Sequence, residues 1–231
     1  MCKVSEKKQK YRIFLLILQS KMKMKEIYEY YPKEKINTLP IVKFDGRVFV
    51  VITERDADKA VEYLMTQRIL GFDSETRPSF KKWQHHKVSL LQVSTHDTCF
   101  LFRLNQIGIC DSLVRLLQDH TIIKVGLSLK DDFRQLQQRR KFEPGTFVDL
   151  QSEVKKLGVE DASLQKLYAN LFGQKISKTQ QLSNWEADVL SEAQKLYAAT
   201  DAWACVKLYE EIQRLLKECD FTLINNIISE E

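Results

Sequence analysis

Three stretches of this 231-residue chain carry carboxylates where apolar side chains would be expected. ILGFDSET, residues 69–76, is an apolar run that reads as a buried strand ending in polar residues. Asp73 and Glu75 stand two apart in it, so both project from one sheet face at the strand's C-terminal end. Asp201 follows Tyr197 by four residues, which makes the pair neighbours on one face of a long helical pattern. That face continues through Ala193, Ala204 and Leu208 toward the core, where an Asp needs a partner. A third acid, Asp131 or Asp132, follows a strand-like run at 122–127. Helical spacing favours Asp132, which shares a face with Leu136, whereas Asp131 pairs with Gln135 and suits an N-terminal cap. Ionised carboxylates held close together with little water cost several kcal/mol unless a cation intervenes. Acids on separate elements, offering only oxygen, suit Mg²⁺ or Mn²⁺ rather than zinc. The competing structural readings are surface acids at a strand end, an Asp bonded to a loop, and a core Tyr with a satisfied hydroxyl.

The elements that must position these residues follow from period and punctuation. Strand-like runs at 41–44 and 47–52 flank Asp45-Gly46, a dipeptide that supports a tight hairpin. A helical pattern covers 56–67, followed by the acid-bearing strand. Strands are predicted at 88–94 and 99–104, joined at His96-Asp97, then a helix at 109–117, a strand at 122–127, a helix at 131–140 and a strand at 147–150. The remainder is helical by pattern, ending in a long helix at about 191–216. Central strands with crossing helices and a helical final third predict an α/β domain with a mixed sheet. Neither GxGxxG nor GxxxxGK[ST] occurs, which weighs against dinucleotide and P-loop nucleotide binding.

Composition agrees with one packed domain plus an appendage: 44% of residues are hydrophobic and 29% charged, with only 7 Gly and 4 Pro. The net charge of +5 is unevenly placed. Residues 1–25 hold eight Lys and Arg against Glu6, a surplus of +7 that leaves −2 for residues 26–231. They read as a basic extension, with Met22 and Met24 as alternative starts. The apolar run at 13–18 is far short of the roughly 20 residues of a membrane span and lacks a signal-cleavage pattern. Five cysteines without a CxxC pair argue against zinc and against a disulfide framework, and read as reduced thiols in a cytoplasmic protein. The four histidines lie far in sequence from the acids and receive no role. Beyond the acid strand, RPSFKKWQHHK (residues 77–87) combines cations with aromatics and contains no acid. Thr76, Arg77, Lys81, Lys82, Trp83 and Lys87 are therefore the candidate substrate-binding residues, the cations for phosphate and Trp83 for base stacking.

Taken together, FDSET, KVGLSLKDDF and YAATDAW resemble, in order and spacing, the three motifs of the DEDD superfamily of 3′-to-5′ exonucleases, in the ribonuclease D and Werner-syndrome exonuclease branch. The resemblance covers about residues 40–215. With Tyr197 four residues before Asp201, the third motif looks like that of the tyrosine subclass (DEDDy). The resemblance implies a ribonuclease H-like, five-stranded mixed sheet flanked by helices, in a single domain at 40–218 with a C-terminal tail at 219–231. It also implies that Asp73, Glu75, Asp132 and Asp201 bind two divalent cations, Mg²⁺ or Mn²⁺, about 3.5 to 4 Å apart. Tyr197 would orient the attacking water, and 5′-nucleoside monophosphates would leave a DNA or RNA strand with a free 3′ end. Two features depart from the family: only about fifteen residues follow the last motif's helix, where ribonuclease D carries helical domains, so a stand-alone nuclease of the Werner-exonuclease type is expected, and the doubled Asp131-Asp132 leaves the second motif open by one residue. A non-catalytic nucleic-acid-binding or adaptor module on the same fold is the competing class. It would have no need of four costly carboxylates.

Overall fold

A computed structural model describes residues 24–79, 83 and 85–225. Most of the basic extension, Lys81, Lys82 and residues 226–231 lie outside the described residues. In chain order the elements are β1 (Lys25–Tyr28), α1 (Lys33–Thr38), β2 (Ile41–Val42), β3 (Arg47–Val51), α2 (Glu54–Leu64), β4 (Ile69–Glu75), β5 (Leu90–Ser94) and β6 (Thr98–Phe102). There follow α3 (Leu104–Ile107), α4 (Asp111–Gln118), β7 (Ile123–Gly126), α5 (Leu129–Gln137), β8 (Phe147–Asp149), α6 (Leu150–Lys155), α7 (Leu164–Phe172), β9 (Lys175–Ile176), α8 (Glu192–Glu218) and β10 (Phe221–Ile224).

The main sheet is mixed, in the order β3-β6-β5-β4-β7-β8, with β4 antiparallel to β5 and parallel to β7. It has six strands rather than the five expected. The extra one is β3, which runs parallel to β6 in the register Arg47↔Thr98 to Val51↔Phe102. The hairpin expected at Asp45-Gly46 does not form, because β2 pairs instead with β9. Gly46 lacks the positive φ that such a turn requires. A Cβ there would stand 2.3 Å from the Asp97 carbonyl oxygen, so the glycine admits a close backbone approach to the β5–β6 turn. The stretch at 219–231 is not wholly a tail: β10 pairs in parallel with β1, and Phe221 and Leu223 pack on the core beside α6, α7 and α8.

Helices cover both sheet faces. On one face α2 and α4 bury Val61, Leu64, Leu113 and Leu117 against Leu70, Phe72 and Val93. Their apolar residues recur at three- and four-residue spacing, the stripe of an amphipathic helix. Against the other face lies α8, 27 residues long, started by a capping box between Ser191 and Gln194. Its first half buries Ala198, Ala199 and Ala202, small residues that let the helix lie close to the strands. A Cβ on Gly71 of β4 would sit 1.8 Å from the Ala202 carbonyl oxygen. That contact sets α8 beside the acid strand and fixes the position of Asp201.

Candidate metal centre and active site

Asp73 and Glu75 stand on the α8 side of β4, and Asp201 stands on the facing turn of α8. Their carboxylates offer three ligand atoms within 4.8 Å of one another. Asp201 is 7% exposed, and its Oδ1 is buried with no hydrogen-bond partner among the described residues. Burial is the main cause of the acids' shifted titration, with mutual repulsion second for the two strand acids. Glu75 is pushed up to about 9 by burial, then by Asp201 and Asp132. Asp73 is raised by burial, then by Glu75, Asp201 and Asp132. Asp201 is raised to about 7 by burial, against the opposing effects of the Tyr197 hydroxyl and Lys178.

Asp132 approaches from α5, outside this tight set. Its Oδ1 accepts a hydrogen bond from the Ser74 hydroxyl at 2.5 Å, and burial raises its carboxyl to about 6. Asp131 points to solvent and pairs with Arg134, so of the doubled pair Asp132 is the one turned to the site. The start of α5 is held by Asp149 at the end of β8, whose carboxylate accepts from the backbone N–H groups of Ser128 and Leu129. Ser128 itself takes a left-handed conformation, φ 59°, at this junction.

Tyr197 lines the same cavity, about 300 Å³ in volume, opposite a wall that includes Ser163, Gln165, Ser177 and Lys178. Its hydroxyl is held well above the ordinary phenol range by burial, then by the charges of Asp201 and Glu75. The Tyr197 ring lies 5.9 Å from that of Trp185, which is wholly buried. The loop bearing Trp185 is tied at both sides. The buried Arg103 donates to the carbonyls of Ala187 and Asp188, while Arg77 and His86 each stand 3.2 Å from the Glu186 carboxylate.

The proposed strand-binding residues are placed differently from the acids. Thr76, Arg77, Trp83 and Lys87 do not line the acidic cavity. Arg77 pairs with Glu186 at 3.2 Å, a contact between segments far apart in the chain. Trp83 is 87% exposed, Lys87 is exposed, and Lys81 and Lys82 lie outside the described residues. Sequence reasoning missed Ser74 and Lys178. Ser74 is the unremarked middle of the D-x-E triplet, and its hydroxyl gains meaning only once α5 is placed. Lys178 sits in a stretch with no motif, yet its charge reaches Asp201 across the cavity.

An all-oxygen donor set with a buried, unpartnered carboxylate oxygen fits a hard divalent cation. Cys205 also lines the cavity, and burial, followed by the surrounding acids, pushes its thiol well up.

A family model described as 3′-5′ exonuclease matches residues 48–217. A 3′-5′ exonuclease of Arabidopsis thaliana is 30% identical over 197 residues, covering 78% of this chain and 68% of that protein. The mouse bifunctional 3′-5′ exonuclease/ATP-dependent helicase WRN is 28% identical over 189 residues; the match covers 78% of this chain but only 14% of the mouse protein. The EXO domain of Aedes aegypti Nibbler superposes with a TM-score of 0.68 at 22% identity, covering 76% of this chain and 91% of that one, and shows the same fold. With its acidic motifs brought together on that fold, the chain belongs to the 3′-5′ exonuclease family.

Proposed function

We propose that this protein is a metal-dependent 3′-5′ exonuclease of the tyrosine subclass, acting on a DNA or RNA strand with a free 3′ end and releasing 5′-nucleoside monophosphates. The observation that carries the reading is the convergence of Asp73, Glu75 and Asp201 within 4.8 Å, with a buried Asp201 oxygen left unpartnered. Asp73, Glu75 and Asp201 would hold two divalent ions, Mg²⁺ or Mn²⁺, with Asp132 as the fourth acid, steadied by Ser74. When bound, such ions supply charge stabilisation to the attacking and departing oxygens of an in-line displacement at phosphorus. Tyr197 remains protonated at neutral pH, so it acts by hydrogen-bonding and orienting the water rather than by taking its proton. Lys178 faces the acids across the cavity, where it offers a cation to the strand entering between the two walls.

The test is digestion of 5′-labelled DNA and RNA oligonucleotides, single-stranded and duplex, in Mg²⁺ or Mn²⁺. The expected product is a ladder shortening from the 3′ end, with activity at least about a hundredfold lower in Asp73→Ala and Asp201→Ala. Degradation that is equal in both variants and the wild type, or no degradation by any of them, rejects the reading.

A further inference from the structure

Beside the acidic cluster the sheet carries a polar side chain that no described residue satisfies. Gln92 is the middle residue of β5, a strand buried on both faces, and it is 0% exposed. Both its amide nitrogen and its amide oxygen are buried without a hydrogen-bond partner among the described residues. An unsatisfied buried polar group costs about 1 to 3 kcal/mol, and an apolar residue at this position would avoid that cost. The location of Gln92 suggests what offsets it. In the antiparallel β4–β5 ladder Gln92 stands directly opposite Asp73, so both side chains leave the same face of the sheet. Directly opposed residues have Cβ atoms about 4.5 to 5.5 Å apart, within reach of a glutamine amide. On its other side Gln92 is opposite Leu101 of β6. Leu101 and Leu90 belong to the cluster around Trp185, whose indole Nε1 is likewise buried and unpartnered.

We propose that Gln92 is a positioning residue for the metal ligand Asp73. With a cation held at the acids, a turn of the Gln92 side chain would let its Nε2 donate to Asp73 and its Oε1 accept from the Trp185 indole N–H; neither bond is made among the described residues. The carboxylate, the strand beneath it and the loop that packs on Tyr197 then share one orientation. Groups that orient a metal ligand typically change metal affinity by about 10- to 100-fold when removed, which is large enough to account for keeping an otherwise costly amide in the core. The inference rests on the metal-centre reading above.

The full chain is titrated with Mn²⁺ by isothermal calorimetry, and its melting is followed in EDTA. Gln92→Met keeps the length of the side chain and removes the amide. It is expected to weaken Mn²⁺ binding about tenfold while the melting temperature in EDTA stays level or rises. Trp185→Phe keeps an aromatic ring and removes only the donor, and it is expected to weaken Mn²⁺ binding about threefold while remaining folded. Wild-type affinity in both variants overturns the proposal. So does a loss of affinity that tracks a fall in melting temperature, which marks a merely structural role. If the wild type itself binds no Mn²⁺, the metal-centre reading fails. If it binds and cleaves while both variants match it, only the role of Gln92 fails.

Discussion

At the residue scale the centre brings like charges together in a place that penalises charge. Asp73, Glu75 and Asp201 each lose hydration, and each carries a carboxyl raised above its ordinary range, Glu75 the furthest of those with a value, at about 9. Without a cation such a cluster keeps protons near neutral pH, and a divalent ion binds by displacing them. Tyr197 is shifted in the same direction by burial, then by the charges of Asp201 and Glu75, which favours the proposed role of its hydroxyl as a donor. Tyr197→Phe is therefore expected to lower kcat by roughly a hundredfold while the half-saturating Mn²⁺ concentration moves less than about twofold. Steady-state rates across a Mn²⁺ series separate the two quantities, and an equal loss in both would remove the water-orienting role.

At the element scale, function depends on how closely one helix lies on one strand. The α8 helix carries Tyr197 and Asp201 on its first three turns, and Ala198, Ala199 and Ala202 leave room for it to pack against β4. Gly71 is the tightest point, since a methyl group there would overlap the Ala202 carbonyl. Neither partner at that contact is a flexible side-chain end, so relief requires the backbone to move. Gly71→Ala is expected to cost about 2 kcal/mol or more and to move Asp201 away from Asp73. Urea melts check the stability, and Mn²⁺ titration of the folded fraction checks the site. The matching change at Gly108, where no atom lies within 4 Å of the added methyl group but φ is +64°, separates backbone strain from overlap, and it is expected to leave metal binding intact. A Gly71→Ala protein with wild-type stability and Mn²⁺ affinity would show that the close approach is not what sets the site.

At the scale of the whole molecule, the centre is a charge on the fold's stability. An acid whose folded pKa lies above its unfolded value stabilises the protein fully below the unfolded pKa, and that stability is lost as pH rises through the folded pKa. With Asp132 raised to about 6, Asp201 to about 7 and Glu75 to about 9, the loss runs from about pH 4 to about 9. The depressed carboxylates of Asp119 and Glu211 act in the opposite sense and below that window. Buried Lys124, lowered to about 8 by desolvation, also acts oppositely, but only from about pH 8 upward toward its unfolded value. Melting temperature in EDTA is therefore expected to fall by several degrees between pH 5 and 8, and excess Mn²⁺ is expected to restore much of that loss. The double variant Asp73→Asn/Asp201→Asn should show a flatter profile. An unchanged slope in the double variant would place the pH dependence elsewhere in the fold.

Residue type and local period were enough to reveal the acidic chemistry and the class of scaffold. The acids were legible because carboxylates interrupt apolar patterns whose period is local: two in the strand with Asp73 and Glu75, and three to four in the helix with Tyr197 and Asp201. For the same reason β5, β6, β7, α4 and α8 stand close to where their patterns placed them. The pairings between distant segments emerge only on folding: β3 beside β6, β2 beside β9, β1 beside β10, Ser74 on Asp132, Gln92 opposite Asp73 and Lys178 facing Asp201. The basic loop shows the same limit, since composition marked Arg77 as a cation for phosphate but could not show that it pairs with Glu186. A residue's period and charge are properties of its own segment. The partner that satisfies it belongs to another segment, and packing chooses it.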